Sequence, residues 1–373
     1  MRAAAAIRRR FVGVLGGEVG NRIRLARALR ASKSHGAGPI LHYSPDFSGG
    51  AAASIMDIAD ALPELNHLIV SERGFNPPWS RFLKGRKHVF PVQTSAGTNL
   101  YELINLCAPL AILNHVSWDL LPVTRTAVAH ISPRPKVISF MHSRGVMARL
   151  TPDHADYVVI FSRHLEEPGI EAAFCPEANP RVICLPNHIN EGRLVRLPLR
   201  GPARAGQFVV GNIASGGAWK HSDDFLDVCL SIDVPNIQFR FLGATDLTAG
   251  AGHLKQVEIL PVLSEPLDEY LGSISVLVHR TSSEVAETWC RTVTEAMTAG
   301  VPVVAEAKGG IRDQIEHGRT GFLCRTSSDF KQYVEGLFSD ESLYRRISCT
   351  ARAHAVANFG LAACRRDLLR LLA

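Results

Sequence analysis

The sequence predicts an α/β protein made of two open, parallel, doubly wound domains. Three observations lead there. Short β-rich apolar runs alternate with helical patterns, the mark of βαβ units and parallel sheet. The alternation stops near mid-chain at a Pro-, Gly- and Arg-rich stretch and then restarts. The length of 373 residues provides two domains' worth of chain.

In chain order, residues 39–43 read as the first strand. Ser48-Gly49-Gly50 reads as a glycine loop after it, and residues 51–62 as a helix. Runs at 68–70, 110–113, 137–141, 157–161 and 182–185 complete the first half. Residues 186–207, with Pro198, Gly201, Pro202 and Gly206, break the pattern. Strand-like runs resume at 208–211, 239–243, 275–279 and 303–305, and residues 351–372 carry an amphipathic helical pattern. The expected division is a basic extension at 1–38, a first domain at 39–190, a linker at 191–206, a second domain at 207–350 and a terminal helix at 351–373.

Composition narrows the class. Hydrophobic residues make up 46% and charged residues 20%, an ordinary globular balance. No run of about eighteen apolar residues occurs, so no transmembrane helix is expected. The 8 cysteines are scattered, with no C-x-x-C pair. That pattern favours a reducing, cytoplasmic setting and argues against a structural zinc site. The net charge of +6 is concentrated in residues 1–38, where nine Arg and Lys stand against Glu18 alone. Such an arm suits an anionic membrane surface, as on the inner face of a membrane. Nucleic acid is not an expected partner, because only Phe11 could stack among these arginines.

The most informative block is Glu287-Thr288-Trp289-Cys290-Arg291-Thr292-Val293-Thr294-Glu295, running on to Gly300, Pro302 and a β-rich Val303-Val304. Two glutamates eight positions apart on one helix would lie roughly 12 Å apart along its axis, too far to share a small ligand. The residues suggest another arrangement. A loop from Arg280 carries Glu287. A helix then begins near Trp289 or Cys290, with Thr288 as a possible N-cap, and carries Glu295. Gly300 ends it. Both carboxylates and the helix amino end can then face the crevice beyond the strand's carboxyl end.

This stretch resembles the glycosyltransferase family 4 signature. The match has four parts in order: Glu-x7-Glu, then Ala296-Met297-Thr298-Ala299-Gly300-Val301-Pro302-Val303-Val304-Ala305, then Gly309-Gly310, then Gly318-Arg319-Thr320-Gly321-Phe322. The resemblance implies a GT-B fold, two Rossmann-like domains facing across a cleft. It also implies a nucleotide-sugar donor held mainly by the second domain and transfer to a hydroxyl acceptor with retention of configuration. Carried over by position, Glu287 contacts the donor sugar and Glu295 the nucleotide ribose. Thr288, Trp289 and Cys290 line sugar and phosphate where many members read Phe-Gly. Lys220 matches a lysine that neutralises the donor diphosphate; the companion arginine is absent, with Asn212 or Ser215 in its region, and Arg291 is a substitute candidate. His142, at a strand end, is placed near the transferred sugar, and Gly49 and Gly50 match the glycine loop of the first domain. Ser283, before Glu287, is a further donor-contact candidate.

The implied partners are a nucleotide-sugar and a glycan or lipid-linked acceptor, in polysaccharide or glycolipid assembly. No metal is expected, since Lys220 and a helix amino end can stabilise a leaving diphosphate and no Asp-x-Asp site is present. Two alternatives stay open: a non-catalytic GT-B module that binds nucleotide-sugar, and a sugar-nucleotide epimerase on the same fold.

Overall fold

A computed structural model of the chain describes Ala26 and residues 38–75, 77–94, 100–115, 123–203, 206–216 and 220–373. Apart from Ala26 and Gly38, the basic arm lies outside the described residues. None of the described helices is long and apolar enough to cross a membrane.

The chain divides into two compact units. The first comprises the residues up to Phe161, with Glu167–His188 and Cys364–Ala373. The second comprises Ser162–Glu166 and Ile189–Ala363.

The first unit is built on seven strands: β1 (Ile40–Tyr43), β2 (His67–Ser71), β3 (Val89–Gln93), β4 (Ala111–His115), β5 (Lys136–Met141), β6 (Tyr157–Ile160) and β7 (Val182–Cys184). They lie in the order β3-β2-β1-β4-β5-β6-β7, and every pair is parallel. β1, β2 and β4 are buried along their whole length, as sheets covered on both faces require.

The glycines after β1 do not form a loop ahead of a helix. The helix is Gly49–Ala61, with Ser48 as N-cap, so Gly49 and Gly50 make its first turn. Ala52, Ile55, Met56 and Ala59 join one apolar core cluster at the i, i+3, i+4, i+7 spacing of one helical stripe, and Ser54, Asp57, Ile58 and Ala61 are buried beside them. The chain end also belongs to this unit. Asp367 lies 3.2 Å from His188, and Arg365 pairs with Glu64 at 2.6 Å.

The second unit carries β8 (Phe208–Ile213), β9 (Ile237–Leu242), β10 (Val257–Leu260), β11 (Val276–His279), β12 (Val303–Glu306) and β13 (Phe322–Cys324). Their order is β10-β9-β8-β11-β12-β13, again all parallel. Counted from β8 this is the 3-2-1-4-5-6 order of a doubly wound dinucleotide-binding sheet. Its switch point, where the winding reverses, lies between β8 and β11. Phe225, Phe239, Phe241, Phe330 and Tyr344 fill the core on one face, and the Tyr344 hydroxyl donates to Ser275 O at 2.8 Å.

The helical pattern at the C-terminus is longer than 351–372 and is not continuous. Two helices, Glu341–Phe359 and Leu361–Leu372, meet at Gly360, an extended residue.

Candidate functional site

Two chain segments leave the second sheet at its switch point. The segment after β8 carries Lys220, and the segment after β11 carries Glu287. They meet there: Lys220 Nζ lies 2.5 Å from Glu287 Oε1, both side chains less than one-fifth exposed. Burial alone would push the Glu287 carboxyl up. The Lys220 ammonium, with His279 and the Cys290 thiol, outweighs it and holds the carboxyl below its ordinary value.

The sign of the pH effect follows. A depressed pKa means that the pair stabilises the fold above the unfolded value near 4.5. That stabilisation is lost as pH falls through the lower folded value. The difference in melting temperature between wild type and Glu287→Gln is therefore expected to stay constant from about pH 7 to about pH 5 and to shrink below that.

The helix that follows is Arg291–Thr298, with Cys290 as N-cap. This corrects the expected start: Thr288 is buried and is not the cap. The other end is as the sequence suggests. Gly300 has a φ of 69°, its N–H reaches Met297 O at 3.0 Å, and Val301 N–H reaches Ala296 O at 2.9 Å. These are the paired bonds of a Schellman stop, in which a left-handed residue is needed and glycine costs least. Glu295 sits on this helix, 3.5 Å from Arg291. Arg291 is thus turned along its own helix toward Glu295.

Gln314, which sequence reasoning missed, holds the helix start. It is fully buried. Its Oε1 accepts from Cys290 N at 3.1 Å, and its Nε2 donates to Cys290 O and to Thr294 Oγ1, both at 2.7 Å. Trp289 packs inward from the same point. Its indole N–H donates to Thr294 Oγ1 at 3.0 Å, and its ring meets Phe359 edge-on at 5.1 Å. Gln314→Leu would take the acceptor from the buried Cys290 N–H, while Thr294 Oγ1 keeps Trp289 and Cys290 O keeps Thr294 N–H. It is expected to lower stability by about 1–3 kcal/mol, read from denaturant unfolding.

The Gly309-Gly310 turn presses directly on the Glu287 loop. Gly310 N–H donates to Glu287 O at 2.8 Å. A Cβ on Gly310 would fall 2.1 Å from Thr288 O, and one on Gly309 would fall 2.5 Å from Glu287 O. The glycine pair therefore lets two backbones touch and sets the height of Glu287.

His279, at the end of β11, is a second residue that sequence reasoning passed over. Its Nε2 lies 3.4 Å from Cys290 Sγ. Burial lowers the pKa of this imidazole. Burial, and then the Glu287 carboxylate, push the Cys290 thiol far up. His279, Glu287 and Cys290 bring ligand atoms within 4.8 Å of one another, a donor set able to take a soft divalent ion. Such an ion would have to displace the Lys220 ammonium from Glu287 and strip the proton from a thiol that holds it strongly.

Asn212 does not stand in for the absent arginine. It is buried. Its amide donates to Val278 O at 2.9 Å, tying β8 to β11, and its Oδ1 faces His221 Nε2 at 3.1 Å. Ser283 is at the loop's surface, its hydroxyl donating to Glu284 at 3.2 Å. Lys308 fastens that loop by donating to Ser282 O and Ser283 O at 2.7 and 2.9 Å. His142, Gly49 and Gly50 belong to the first unit.

Two parallel doubly wound sheets, one with a cation–carboxylate pair at its switch point, make this an α/β protein of the GT-B fold. Solved structures align over nearly the whole chain. HepE of Anabaena, in complex with UDP and glucose, gives a TM-score of 0.68 at 18% identity, covering 90% of this chain and 99% of that one. A glycosyltransferase of Rickettsia africae gives 0.70 at 14%, covering 90% and 98%. Residues 200–354 match the family described as "Glycosyl transferases group 1", and this stretch of the chain belongs to it. Among curated proteins, a trehalose phosphorylase of Grifola frondosa is 43% identical over 70 residues, 18% of this chain and 10% of that enzyme. A trehalose synthase of Pyrococcus horikoshii is 25% identical over 166 residues, 40% of each. The chain thus spans from about a tenth to two-fifths of the length of these relatives.

Proposed function

We propose that the protein is a retaining glycosyltransferase that moves a hexose from a UDP-sugar to a hydroxyl acceptor. The observation that carries this reading is the Lys220–Glu287 pair, 2.5 Å apart at the second sheet's switch point. Doubly wound sheets bind their ligands there. HepE, a neighbour by fold, is described with UDP-glucose bound.

In this reading the donor breaks the pair and uses both halves. Glu287 turns its carboxylate to the sugar hydroxyls. Lys220 turns to the diphosphate, joined by the amino end of the Arg291–Thr298 helix, which favours negative charge. Those positive groups stabilise the departing UDP without a metal. Glu295 lies on the next turn for the ribose, with Arg291 beside it. Thr288, Cys290 and Ser283 complete the donor surround, and Trp289 supports it from within. His142 and the Gly49-Gly50 turn are the first unit's own candidate contacts, for the sugar and the donor. The acceptor is a glycan or lipid-linked hydroxyl, and the basic arm directs the enzyme to an anionic, cytoplasm-facing membrane surface.

Two observations favour a second reading, a nucleotide-sugar-binding module without turnover. Cys290 brings a thiol beside Glu287, and Asn212 spends its amide inside the sheet. Calorimetry with a panel of nucleotide-sugars, followed by assay of nucleotide release with a cell extract as acceptor source, separates the two. Transfer requires both binding and release. Tight binding without release for any acceptor would establish the module. Absence of binding to every nucleotide-sugar would overturn both.

A further inference from the structure

His279 ends β11, Glu287 lies on the loop that follows, and Cys290 caps the next helix. One ligand-type atom from each lies within 4.8 Å of the other two. A zinc-class ion in tetrahedral coordination makes bonds of about 2.0–2.3 Å, which sets its nitrogen, oxygen and sulfur ligands about 3.4–3.6 Å apart. His279 Nε2 and Cys290 Sγ already stand 3.4 Å apart, and a turn of the Glu287 carboxylate closes the rest. The fold spends His279 on little else. The residue is buried, its Nε2 meets only a thiol, a weak partner, and its Nδ1 has no hydrogen-bond partner among the described residues. A buried imidazole without a strong bond at either nitrogen calls for an explanation, and an ion is one of the few.

The surroundings suit a Cys290 thiolate once an ion replaces its proton. Thr292 Oγ1 lies 3.2 Å from Sγ, and the Val293 N–H donates to the same sulfur. Such outer bonds orient a ligand and support its charge. The sulfur also stands at the amino end of the Arg291–Thr298 helix, which favours a negative group. The exchange balances. Without the ion, the Glu287 carboxylate is matched by the Lys220 ammonium, and burial keeps His279 uncharged. The ion forms bonds to His279 Nε2, Cys290 Sγ and a Glu287 oxygen. The thiol proton passes to solvent, and the Lys220 ammonium withdraws toward water. One carboxylate and one ammonium become one carboxylate, one thiolate and one doubly charged ion, so the net charge stays at zero.

We propose that His279, Glu287 and Cys290 form a binding site for one soft divalent ion of the zinc class, and that the occupied site shuts out the sugar donor. The exclusion rests on the glycosyltransferase reading, because the ion then holds the carboxylate which that reading gives to the sugar. Ion binding does not rest on it. A hard ion such as Mg²⁺ is not expected to bind, since it prefers oxygen ligands and water. Lys220 competes with the ion for Glu287, so Lys220→Ala is expected to bind the ion about tenfold more tightly.

The test is a cobalt(II) titration of the untagged full chain at neutral pH with a non-thiol reductant, read by absorption and calorimetry. The wild type is expected to show the visible bands of tetrahedral cobalt and a near-ultraviolet thiolate-to-cobalt band. Cys290→Ser should abolish the near-ultraviolet band and weaken binding by about a hundredfold or more. No such band in the wild type, or one that survives in a folded Cys290→Ser protein, would overturn the proposal. If Cys290→Ser does not fold, two other variants decide. Affinity should rise about tenfold in Lys220→Ala and fall about tenfold or more in Glu287→Gln, and unchanged affinity in either would overturn the site. Protein carrying one cobalt ion should bind UDP-glucose about tenfold more weakly, or worse, than the ion-free chain. Equal affinity with the band intact would sink the exclusion. An ion-free chain that binds no nucleotide-sugar, yet shows the Cys290-dependent band, would leave the ion site standing and sink the glycosyltransferase reading instead.

Discussion

Glu287→Gln is expected to weaken UDP-glucose binding by about tenfold to a hundredfold while leaving UDP binding undiminished. The range is that of one hydrogen bond to a charged group, about 1.5–3 kcal/mol. Glutamine keeps the side chain's volume, so packing against Cys290 and the Gly309-Gly310 turn survives. What disappears is the charge that draws sugar hydroxyls and holds Lys220 at 2.5 Å. Without the carboxylate opposite it, the Lys220 ammonium is at least as available to a diphosphate as before. Lys220→Ala should show the opposite split, losing affinity for UDP and UDP-glucose alike. Calorimetry on the two variants with the two ligands gives four numbers. Equal losses for both ligands in Glu287→Gln would show that the carboxylate does not read the sugar.

Gly310→Ala is expected to cost about a hundredfold in turnover and about 1–3 kcal/mol in stability. The backbone at Gly310 is ordinary right-handed helical, with φ of −65° and ψ of −12°, so alanine meets no conformational penalty. Its methyl would sit 2.1 Å from Thr288 O and 2.7 Å from Thr288 C, with Ser162 Cβ at 3.2 Å behind it. These are backbone atoms of the loop that carries Glu287, and they have no flexible end to swing aside. The loop must retreat by about 1 Å, the scale of misplacement that costs about a hundredfold in rate. Gly336→Ala is the control. It lies inside the helix Ser327–Ser339 with nothing within 4 Å of the added methyl, and should stabilise by about 0.5–1 kcal/mol. Wild-type activity in Gly310→Ala would show that the loop's height does not matter.

The central strands were legible because they are buried apolar runs. β1, β4, β5 and β11 differ from the residues that predict them by only one or two at an end. The strands without a sequence signal are β3, β10 and β13, and each lies at or beside a sheet edge. β3 contains Pro91, which an edge tolerates and a run-based reading rejects. β10 is only partly buried, and β13 is three residues long.

Local chemistry was readable where it was sequential. Glu287 on a loop, Glu295 on the helix and Gly300 at its stop follow from spacing. Cys290 as N-cap does not, because its start is held by Gln314, twenty-four residues further on. Four histidines that touch in sequence, His67, His42, His115 and His142, are the extreme case. His142 stands out as a strand-end residue, but its link through His115 to His42 and His67 exists only once four strands are in register.

The most direct test of the account is a structure of the protein with UDP-glucose bound. The glucose hydroxyls are expected at Glu287, and the diphosphate between Lys220 and the amino end of the Arg291–Thr298 helix, with the Lys220–Glu287 contact broken. A nucleotide bound elsewhere, or one bound at this switch point with that contact intact, would contradict it.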